Sequence, residues 1–269
     1  SSSNLLLGFF IASILGTICI IILISDSLRQ RLQTVINGTY SAYSKVHTTA
    51  IIFSLAFVGI NTVSFLLQGG TEGMAQSIDA EGVSSFAIIL QAVLFVIAAV
   101  LGVGFKIRRQ IPQTLQRLGI TIPTIKDVLW SIVTVVGAFV ALSIYGGILT
   151  VFISPEDLAE QTQAAESVVN AFSTIPLALL MASSAAIGEE VFFRGALQPV
   201  FGLIPTTIFF AAIHTQVLLT PSIVSIFIVG LAFGLLRQRF NTTAAIIAHF
   251  IYNFLIVLIN ILVTSSGAI

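Results

Sequence analysis

Residues 172–193 read FSTIPLALLMASSAAIGEEVFF, an apolar run with two adjacent acids, Glu189 and Glu190, near its end. The run is close to the ~20 residues with which an α-helix crosses a ~30 Å hydrocarbon core. A charged side chain costs ~2.5–3.5 kcal/mol in that core and persists where it is paired or takes part in chemistry. The run therefore predicts a membrane-spanning helix whose acidic end has a function.

The rest of the chain has the same apolar character. Of its 269 residues, 57% are hydrophobic and 8% are charged, and the mean hydropathy is +1.07. A soluble domain would carry about 25% charged residues, so lipid must surround most of this chain. Backbone groups in lipid must bond internally, which makes each apolar run a helix. We predict an all-α integral membrane protein with about eight transmembrane helices. The runs lie at about residues 5–24, 46–68, 83–105, 128–153, 172–193, 203–219, 222–236 and 242–263.

The basic residues all fall on one side of the membrane in this eight-helix arrangement. The loops on the other side carry acids without bases, among them Glu72, Asp79 and Glu156. Loops rich in Lys and Arg stay cytoplasmic, which predicts that both termini lie on the opposite side. We expect a prokaryotic inner membrane or a thylakoid-type membrane. The 11 basic residues are Arg29, Arg31, Lys45, Lys106, Arg108, Arg109, Arg117, Lys126, Arg194, Arg237 and Arg239.

The longest basic connection spans residues 106–127 and reads KIRRQIPQTLQRLGITIPTIKD. Two interpretations fit this segment equally well. One is a basic amphipathic helix that lies on anionic lipid headgroups, and the other is a solvated linker with its charges near the membrane. The net charge of the whole chain is zero, which leaves no basic excess for phosphates and predicts that nucleic acid is not a partner.

Two glutamates and an arginine form the first candidate motif, within SSAAIGEEVFFRGALQP. Glu190 and Arg194 are four residues apart, so they share a helix face and are predicted to form an ion pair. Glu189 is turned about 100° from Glu190 on an α-helix and faces a different neighbour. We therefore predict that Glu190 supports Arg194, and that Glu189 is the freer carboxylate, suited to act as a general base on water.

Two histidines and an asparagine lie in later apolar runs. His214 is in IFFAAIHTQ, predicted to lie inside the sixth helix, and His249 is in AAIIAHFIYNF, inside the eighth. Asn253 follows His249 by four residues and shares its helix face. A single membrane histidine is often a packing residue, but two at moderate depth from the side that holds Glu189 favour a shared site.

These polar residues together suit the hydrolysis of a peptide bond. Glu189 and His214 could hold and deprotonate a water, while His249 and Asn253 could donate hydrogen bonds to the oxyanion, each worth ~3–4 kcal/mol. Alternatively, Glu189, His214 and His249 could bind a divalent metal such as Zn²⁺ with open positions for water. The sequence has no His-Glu-x-x-His segment and no Gly-x-Ser-x-Gly elbow, so neither an ordinary zincin nor a serine hydrolase is predicted.

At these residues the chain resembles the CAAX protease and bacteriocin-processing (CPBP, or ABI) family of intramembrane proteases. The family pattern is Glu-Glu-x-x-x-Arg, then Phe-x-x-x-His, then His-x-x-x-Asn or Asp. The resemblance covers about residues 172–260. The matching residues, in order, are Glu189, Glu190 and Arg194, then Phe210 and His214, then His249 and Asn253.

The resemblance implies an α-helical protease whose active site lies in the membrane and opens toward the cytoplasm. Residues 1–171 would be an N-terminal part with helices 1–4, and residues 172–269 a catalytic core formed by helices 5–8. Both a metal-free and a metal-dependent mechanism are argued for the family, so no cofactor is predicted with certainty and Zn²⁺ is the alternative. By resemblance, Glu189 and His214 activate the water, His249 and Asn253 shape the oxyanion site, and Glu190, Arg194 and Phe210 support it.

Three functions fit these observations. The first is an intramembrane endopeptidase that acts on a peptide or lipidated-protein substrate in the bilayer. The second is a non-proteolytic membrane subunit or assembly factor that uses the same fold to hold a membrane-protein partner. The third is a transporter or channel with a Glu/His proton relay, against which the lack of repeat symmetry counts. The intact motif set favours the first.

Overall fold

The chain is a series of helices in the computed structural model, which describes residues 2–36, 38–154, 166, 169–214 and 220–266. Within these ranges the regular structure is helical, apart from an isolated β-bridge between Phe105 and Arg109. The acidic loop predicted around Glu156 lies outside the described residues. The helices are α1 Ser2–Ile24, α2 Asp26–Val35, α3 Lys45–Leu67, α4 Gly70–Glu81, α5 Ser85–Gly102, α6 Ile111–Leu118, α7 Ile125–Phe152, α8 Ile175–Glu189, a π-helical segment Glu190–Leu197, α9 Gln198–Phe201, α10 Leu203–Ala212, α11 Ile223–Arg239 and α12 Thr242–Ser265.

Six helical segments in the described residues are long and apolar enough to cross a membrane. The predicted all-α membrane fold is therefore confirmed, and the protein is a multi-pass membrane protein. The six segments are Asn4–Ile24, Lys45–Leu67, Ser85–Gly102, Ile125–Phe152, Ile175–Phe201 and Thr242–Ser265.

The predicted sixth and seventh spans form shorter helices than these six. α10 has 10 residues and α11 has 17, and residues 215–219 of the predicted sixth run lie outside the described residues. At 1.5 Å per residue, α10 covers only about 15 Å of a ~30 Å core. The count of eight spans is therefore not confirmed, although a helix lies in every predicted run. The sidedness of the termini depends on that count and stays a prediction.

The helices form two compact units. The first comprises Ser1–Met74 and Leu197–Phe227, and the second comprises Ala75–Ala196 and Ile228–Ile269. The predicted division into residues 1–171 and residues 172–269 is based on where the motifs lie along the chain and not on how the helices pack. It stays a prediction.

In the first unit, α1 packs along α3. A Cβ added at Gly59 of α3 would lie 3.0 Å from Cδ1 of Leu15, so a small residue permits this approach. The connection between α2 and α3 packs through Tyr40, whose ring centroid lies 5.9 Å from that of Phe201. The Tyr40–Phe201 contact joins this connection to α9.

In the second unit, α8 packs against both α5 and α12. Ala178, Ala182 and Ala186 recur every fourth residue along α8, and all three are fully buried. This spacing places them on one face, where small side chains let neighbouring backbones come close. At Gly188 the approach is so close that an added Cβ would lie 2.7 Å from the Cα of Ala92 on α5.

A set of polar contacts fixes the start of α12 against the start of α7. Asn241 Nδ2 donates to Asp127 Oδ1 at 2.8 Å, and the Ser131 hydroxyl donates to the carbonyl of Ala244 at 2.8 Å. The Thr242 hydroxyl donates to the carbonyl of Leu118 at the end of α6. Because Asp127, Ser131 and Thr242 are buried, their bonds fix the register of α12. That register sets where His249 and Asn253 project.

Replacing Gly188 by alanine is expected to destabilise the second unit, because the added methyl group would overlap the backbone of Ala92. Overpacking of this kind costs about 1–3 kcal/mol. Gly137→Ala on α7 is the matched control, since a Cβ at Gly137 meets nothing within 4 Å. The measurement is the thermal unfolding midpoint of the detergent-purified protein. Equal midpoints for the two variants would contradict the close contact between α8 and α5.

Candidate active site

The first motif spans a change of helix type. α8 ends at Glu189, and Glu190–Leu197 form a π-helix before α9 begins at Gln198. Every residue of this π-helical segment is buried. A π-helix closes its hydrogen bonds over five residues instead of four, and such turns are frequent at functional sites. The prediction of regular α-helical geometry from Glu189 to Arg194 is therefore wrong, because the backbone widens at Glu190.

The predicted ion pair between Glu190 and Arg194 is present. Arg194 Nε lies 3.4 Å from Glu190 Oε2, and both side chains are fully buried. Arg194 Nη2 also donates to the carbonyl of Gly230 on α11 at 2.9 Å, and the guanidinium lies 5.9 Å from the ring centroid of Phe193. These contacts compensate a buried positive charge, which would otherwise cost several kcal/mol.

His249 on α12 bonds the same glutamate. Its Nδ1 lies 2.9 Å from Glu190 Oε1, and its ring stacks on Phe233 with centroids 5.0 Å apart. When Glu190 is ionised it can only accept this hydrogen bond, and Nδ1 is then the donor. The bond fixes the orientation of the imidazole. Glu190 therefore serves His249 as well as the predicted Arg194.

Glu189 has different surroundings from Glu190. The residue is 7% exposed, and within the described part of the chain its buried Oε2 has no hydrogen-bond partner. The Arg194 guanidinium attracts both carboxylates, Glu190 more strongly than Glu189. Buried polar atoms without hydrogen bonds are rare in native proteins, and a catalytic role is one reason for which they are retained. The predicted division between a paired Glu190 and a freer Glu189 agrees with this geometry.

Asn253 lies one turn after His249 on α12. Its side chain is half-buried, and its Nδ2 points at the sulfur of Met181 on α8 at 3.9 Å. A thioether is a weak acceptor, so this amide can be drawn to a stronger acceptor at small cost. The second unit therefore contains five of the predicted site residues, on α8, on the π-helical segment that continues it and on α12, which packs against α8: Glu189, Glu190, Arg194, His249 and Asn253.

His214 and Phe210 belong to the first compact unit. α10 ends at Ala212, so the prediction that His214 lies inside a helix is wrong. The backbone N–H of His214 turns back to the carbonyl of Ala211 at 3.0 Å, and its ring Nδ1 lies 2.8 Å from the carbonyl of Phe210. The ring thereby takes the carbonyl that a continuing α-helix would offer to the backbone of His214. Phe210 is buried, with its ring centroid 4.9 Å from that of His214.

Within each compact unit, the described residues include no group of three His, Cys, Asp or Glu side chains that could hold a metal ion. The predicted metal set of Glu189, His214 and His249 draws on both units and stays a prediction. Its two members in the second unit have suitable donor chemistry, because Glu189 has a partnerless oxygen there and His249 is oriented by a carboxylate. Carboxylates orient metal-binding imidazoles in this way in many proteins.

Fold and site together define a multi-pass helical membrane protein with a buried glutamate–arginine–histidine centre. Residues 171–255 match the family model described as type II CAAX prenyl endopeptidase Rce1-like, and this stretch contains every residue of the three motifs. The predicted resemblance to the CAAX protease family is therefore confirmed over the segment that carries the site. This match supports a protease in general. Comparison with curated proteins and with solved structures gave no match.

Replacing Glu190 by glutamine is expected to destabilise the protein strongly, because Arg194 would stay buried after losing the carboxylate with which it forms an ion pair. Removing one partner of a buried ion pair costs about 3–5 kcal/mol. Glu189→Gln is the matched control, since it makes the same chemical change at a carboxylate oxygen without a partner among the described residues. The thermal unfolding midpoint in detergent is the measurement. An equally large loss of stability in both variants would show that the two carboxylates are not distinct.

Proposed function

We propose that the protein is an intramembrane endopeptidase in which Glu189 acts as the general base on water. One observation carries this proposal: the buried Oε2 of Glu189 has neither a hydrogen bond nor an ion pair in the described structure. The Oε2 of Glu190 also lacks a hydrogen bond, but it lies 3.4 Å from Arg194 Nε, and its Oε1 bonds His249. The family match over residues 171–255 supports the same class of reaction.

The proposed reaction begins with a water bound at Glu189. The carboxylate accepts a proton as the water oxygen attacks the peptide carbonyl carbon, and the carbonyl π electrons move to its oxygen to give a tetrahedral oxyanion. General-base assistance of this kind contributes about 10²–10⁴-fold in rate. The C–N bond then breaks, and the proton held by Glu189 passes to the leaving nitrogen. His214 is assigned to the same water by the motif it shares with the family.

His249 and Asn253 are the proposed donors to the oxyanion. Asn253 offers its Nδ2, which bonds only the weak acceptor Met181 Sδ in the described structure. His249 donates from Nε2 when its ring carries both protons, and the Glu190 carboxylate at 2.9 Å from Nδ1 balances the resulting positive charge. Loss of one such donor lowers kcat by about 10²–10³-fold in known hydrolases.

A divalent metal such as Zn²⁺ is the proposed alternative to a metal-free site. Glu189, His214 and His249 would hold the ion, with Glu190 orienting His249 through Nδ1. A bound ion would lower the pKa of its water to about 7. Elemental analysis after growth in zinc-supplemented medium tests this alternative. A stoichiometric metal that is lost in His249→Ala supports it, and a metal-free, active protein contradicts it.

The proposed substrate is a membrane-associated peptide or lipidated protein with a CAAX-like tail. Two features support this class. Glu189, Glu190 and Arg194 lie within an apolar helical segment, Ile175–Phe201, that is long enough to span a membrane. The matched family is described by its action on CAAX prenyl proteins. A substrate anchored in the bilayer reaches a membrane-embedded site by lateral diffusion, and we propose that its peptide tail enters from the cytoplasmic side.

Glu189→Gln, His214→Ala and His249→Ala are each expected to lower peptide cleavage by at least about 100-fold. The assay uses the purified protein in liposomes with a farnesylated CAAX peptide that carries a fluorophore and a quencher across the scissile bond. The unprenylated peptide is assayed in parallel. Glu166→Gln is the matched control, because it makes the same change as Glu189→Gln at an exposed residue outside the motifs.

Cleavage retained by all three variants would overturn the proposal. The function as a non-proteolytic membrane subunit would then be the better interpretation. Loss of cleavage in Glu166→Gln as well would point to a general defect of the preparation. Equal cleavage of the two peptides would keep the endopeptidase and remove the requirement for a prenyl group.

A further inference from the structure

Two arginines on neighbouring elements donate hydrogen bonds to the backbone of the π-helical segment. Pro199 has no N–H, so it cannot donate to the carbonyl of Gly195 in α-helical register or to that of Arg194 in π-helical register. Arg117 Nη1 donates to the carbonyl of Gly195 at 3.1 Å, and Arg237 Nε donates to the carbonyl of Arg194 at 3.0 Å. The guanidinium groups of Arg117 and Arg237 therefore bond neighbouring carbonyls and lie side by side at the end of the π-helical segment.

A third arginine adds its charge to this pair. Arg109 bonds the carbonyl of Val103 through Nη1 and lies close enough to act electrostatically on Arg117. Burial and the positive charges of Arg109 and Arg237 lower the pKa of Arg117 from its usual value. The three side chains are half-buried, so their mutual repulsion is poorly screened by solvent. We call Arg109, Arg117 and Arg237 the arginine cluster.

No carboxylate neutralises the arginine cluster in the part of the chain that the structure describes. There the arginine ion pairs are Arg29–Asp26 and Arg194–Glu190. The nearby Asp127 is buried, and its carboxylate accepts hydrogen bonds from Thr124 and Asn241 instead. In each guanidinium of the cluster, one nitrogen donates to a backbone carbonyl. A guanidinium carries five N–H donors in all. Three positive groups with donors to spare form a site for an anion.

The arginine cluster lies at the level where apolar helices end. α5 ends at Gly102 and α11 ends at Arg239, while α7 begins at Ile125. The connection beside the cluster exposes large apolar side chains, with Ile107 82% exposed and Ile122 89% exposed. Exposed isoleucines among basic residues are typical of a segment at the boundary between lipid headgroups and acyl chains. The anions concentrated at that boundary are lipid phosphates.

We propose that the arginine cluster binds the phosphate of an anionic phospholipid headgroup. The phosphate oxygens accept hydrogen bonds from the free N–H groups of the three arginines and relieve their mutual repulsion. Because Arg117 and Arg237 also hold the carbonyls of Gly195 and Arg194, a bound headgroup stabilises the end of the π-helical segment. This site is separate from the proposed peptidase chemistry and does not depend on it.

The test measures binding of phosphatidylglycerol to the full chain, purified in a neutral detergent, by native mass spectrometry and by the shift in thermal unfolding midpoint. Wild-type protein is expected to retain phosphatidylglycerol in preference to phosphatidylcholine. The double variant Arg117→Gln/Arg237→Gln is expected to bind it at least about tenfold more weakly, because two of the three donors are lost. The matched control is Arg108→Gln/Arg239→Gln, which removes the same charge from exposed positions in the same region and should bind like wild type.

Arg109→Gln keeps the test decisive if the double variant does not fold. Arg109 bonds the carbonyl of Val103 and not the π-helical segment. Its replacement should therefore weaken lipid binding, while the unfolding midpoint of the lipid-free protein stays near that of wild type. Equal weakening in the Arg108→Gln/Arg239→Gln control would overturn the proposal in favour of diffuse surface charge.

Two further arms separate the lipid from other anions. Inorganic phosphate that stabilises wild-type protein as well as phosphatidylglycerol would overturn the lipid as the ligand and leave a free-phosphate site. A short peptide with a free C-terminal carboxylate that displaces phosphatidylglycerol, when its amidated form does not, would assign the cluster to a peptide tail and also overturn the proposal. We expect that inorganic phosphate stabilises the protein less than phosphatidylglycerol does, and that neither peptide displaces the lipid.

Discussion

The buried positive charge of Arg194 is the constraint on which the second unit depends. A guanidinium inside an apolar helix bundle must be compensated, since an isolated buried charge costs several kcal/mol. Compensation comes from Glu190 on the π-helical segment and from the carbonyl of Gly230 on α11. Glu190 in turn bonds His249 on α12. One ion-pair network therefore links the π-helical segment, α11 and α12, and its side chains come from the first and the third of the polar motifs.

The same network makes two neighbouring glutamates unequal. Both oxygens of Glu190 face cations or donors, Arg194 on one side and His249 on the other. Glu189 comes just before the widened π-helical turns and keeps an oxygen without a partner in the described structure. A carboxylate held by two partners suits the support of a site, and a carboxylate with an open oxygen suits the handling of a proton. The structure thereby gives a physical reason for an acidic pair in a membrane helix, where either charge alone would be costly.

The far end of the π-helical segment is held by a second set of cations. Pro199 has no N–H to donate, and Arg117 and Arg237 donate to the carbonyls of Gly195 and Arg194. Together with the polar contacts that fix the start of α12 at Asn241 and Thr242, these bonds anchor the motif residues at the boundary of the apolar helices. The site is therefore supported from the basic end of the second unit as well as from within.

The sequence by itself determined the membrane class of the fold, because a chain with 8% charged residues cannot cover a soluble surface. It also determined the pair of Glu190 and Arg194, because residues four apart meet on one side of a helix. It overestimated the spans, because an apolar run does not reveal where a helix such as α10 stops. The bond between Glu190 and His249 joins residues 59 positions apart. Only the tertiary structure decided that bond, because helix spacing relates neighbours along one helix, whereas the meeting of α8 and α12 depends on how their small-residue faces pack.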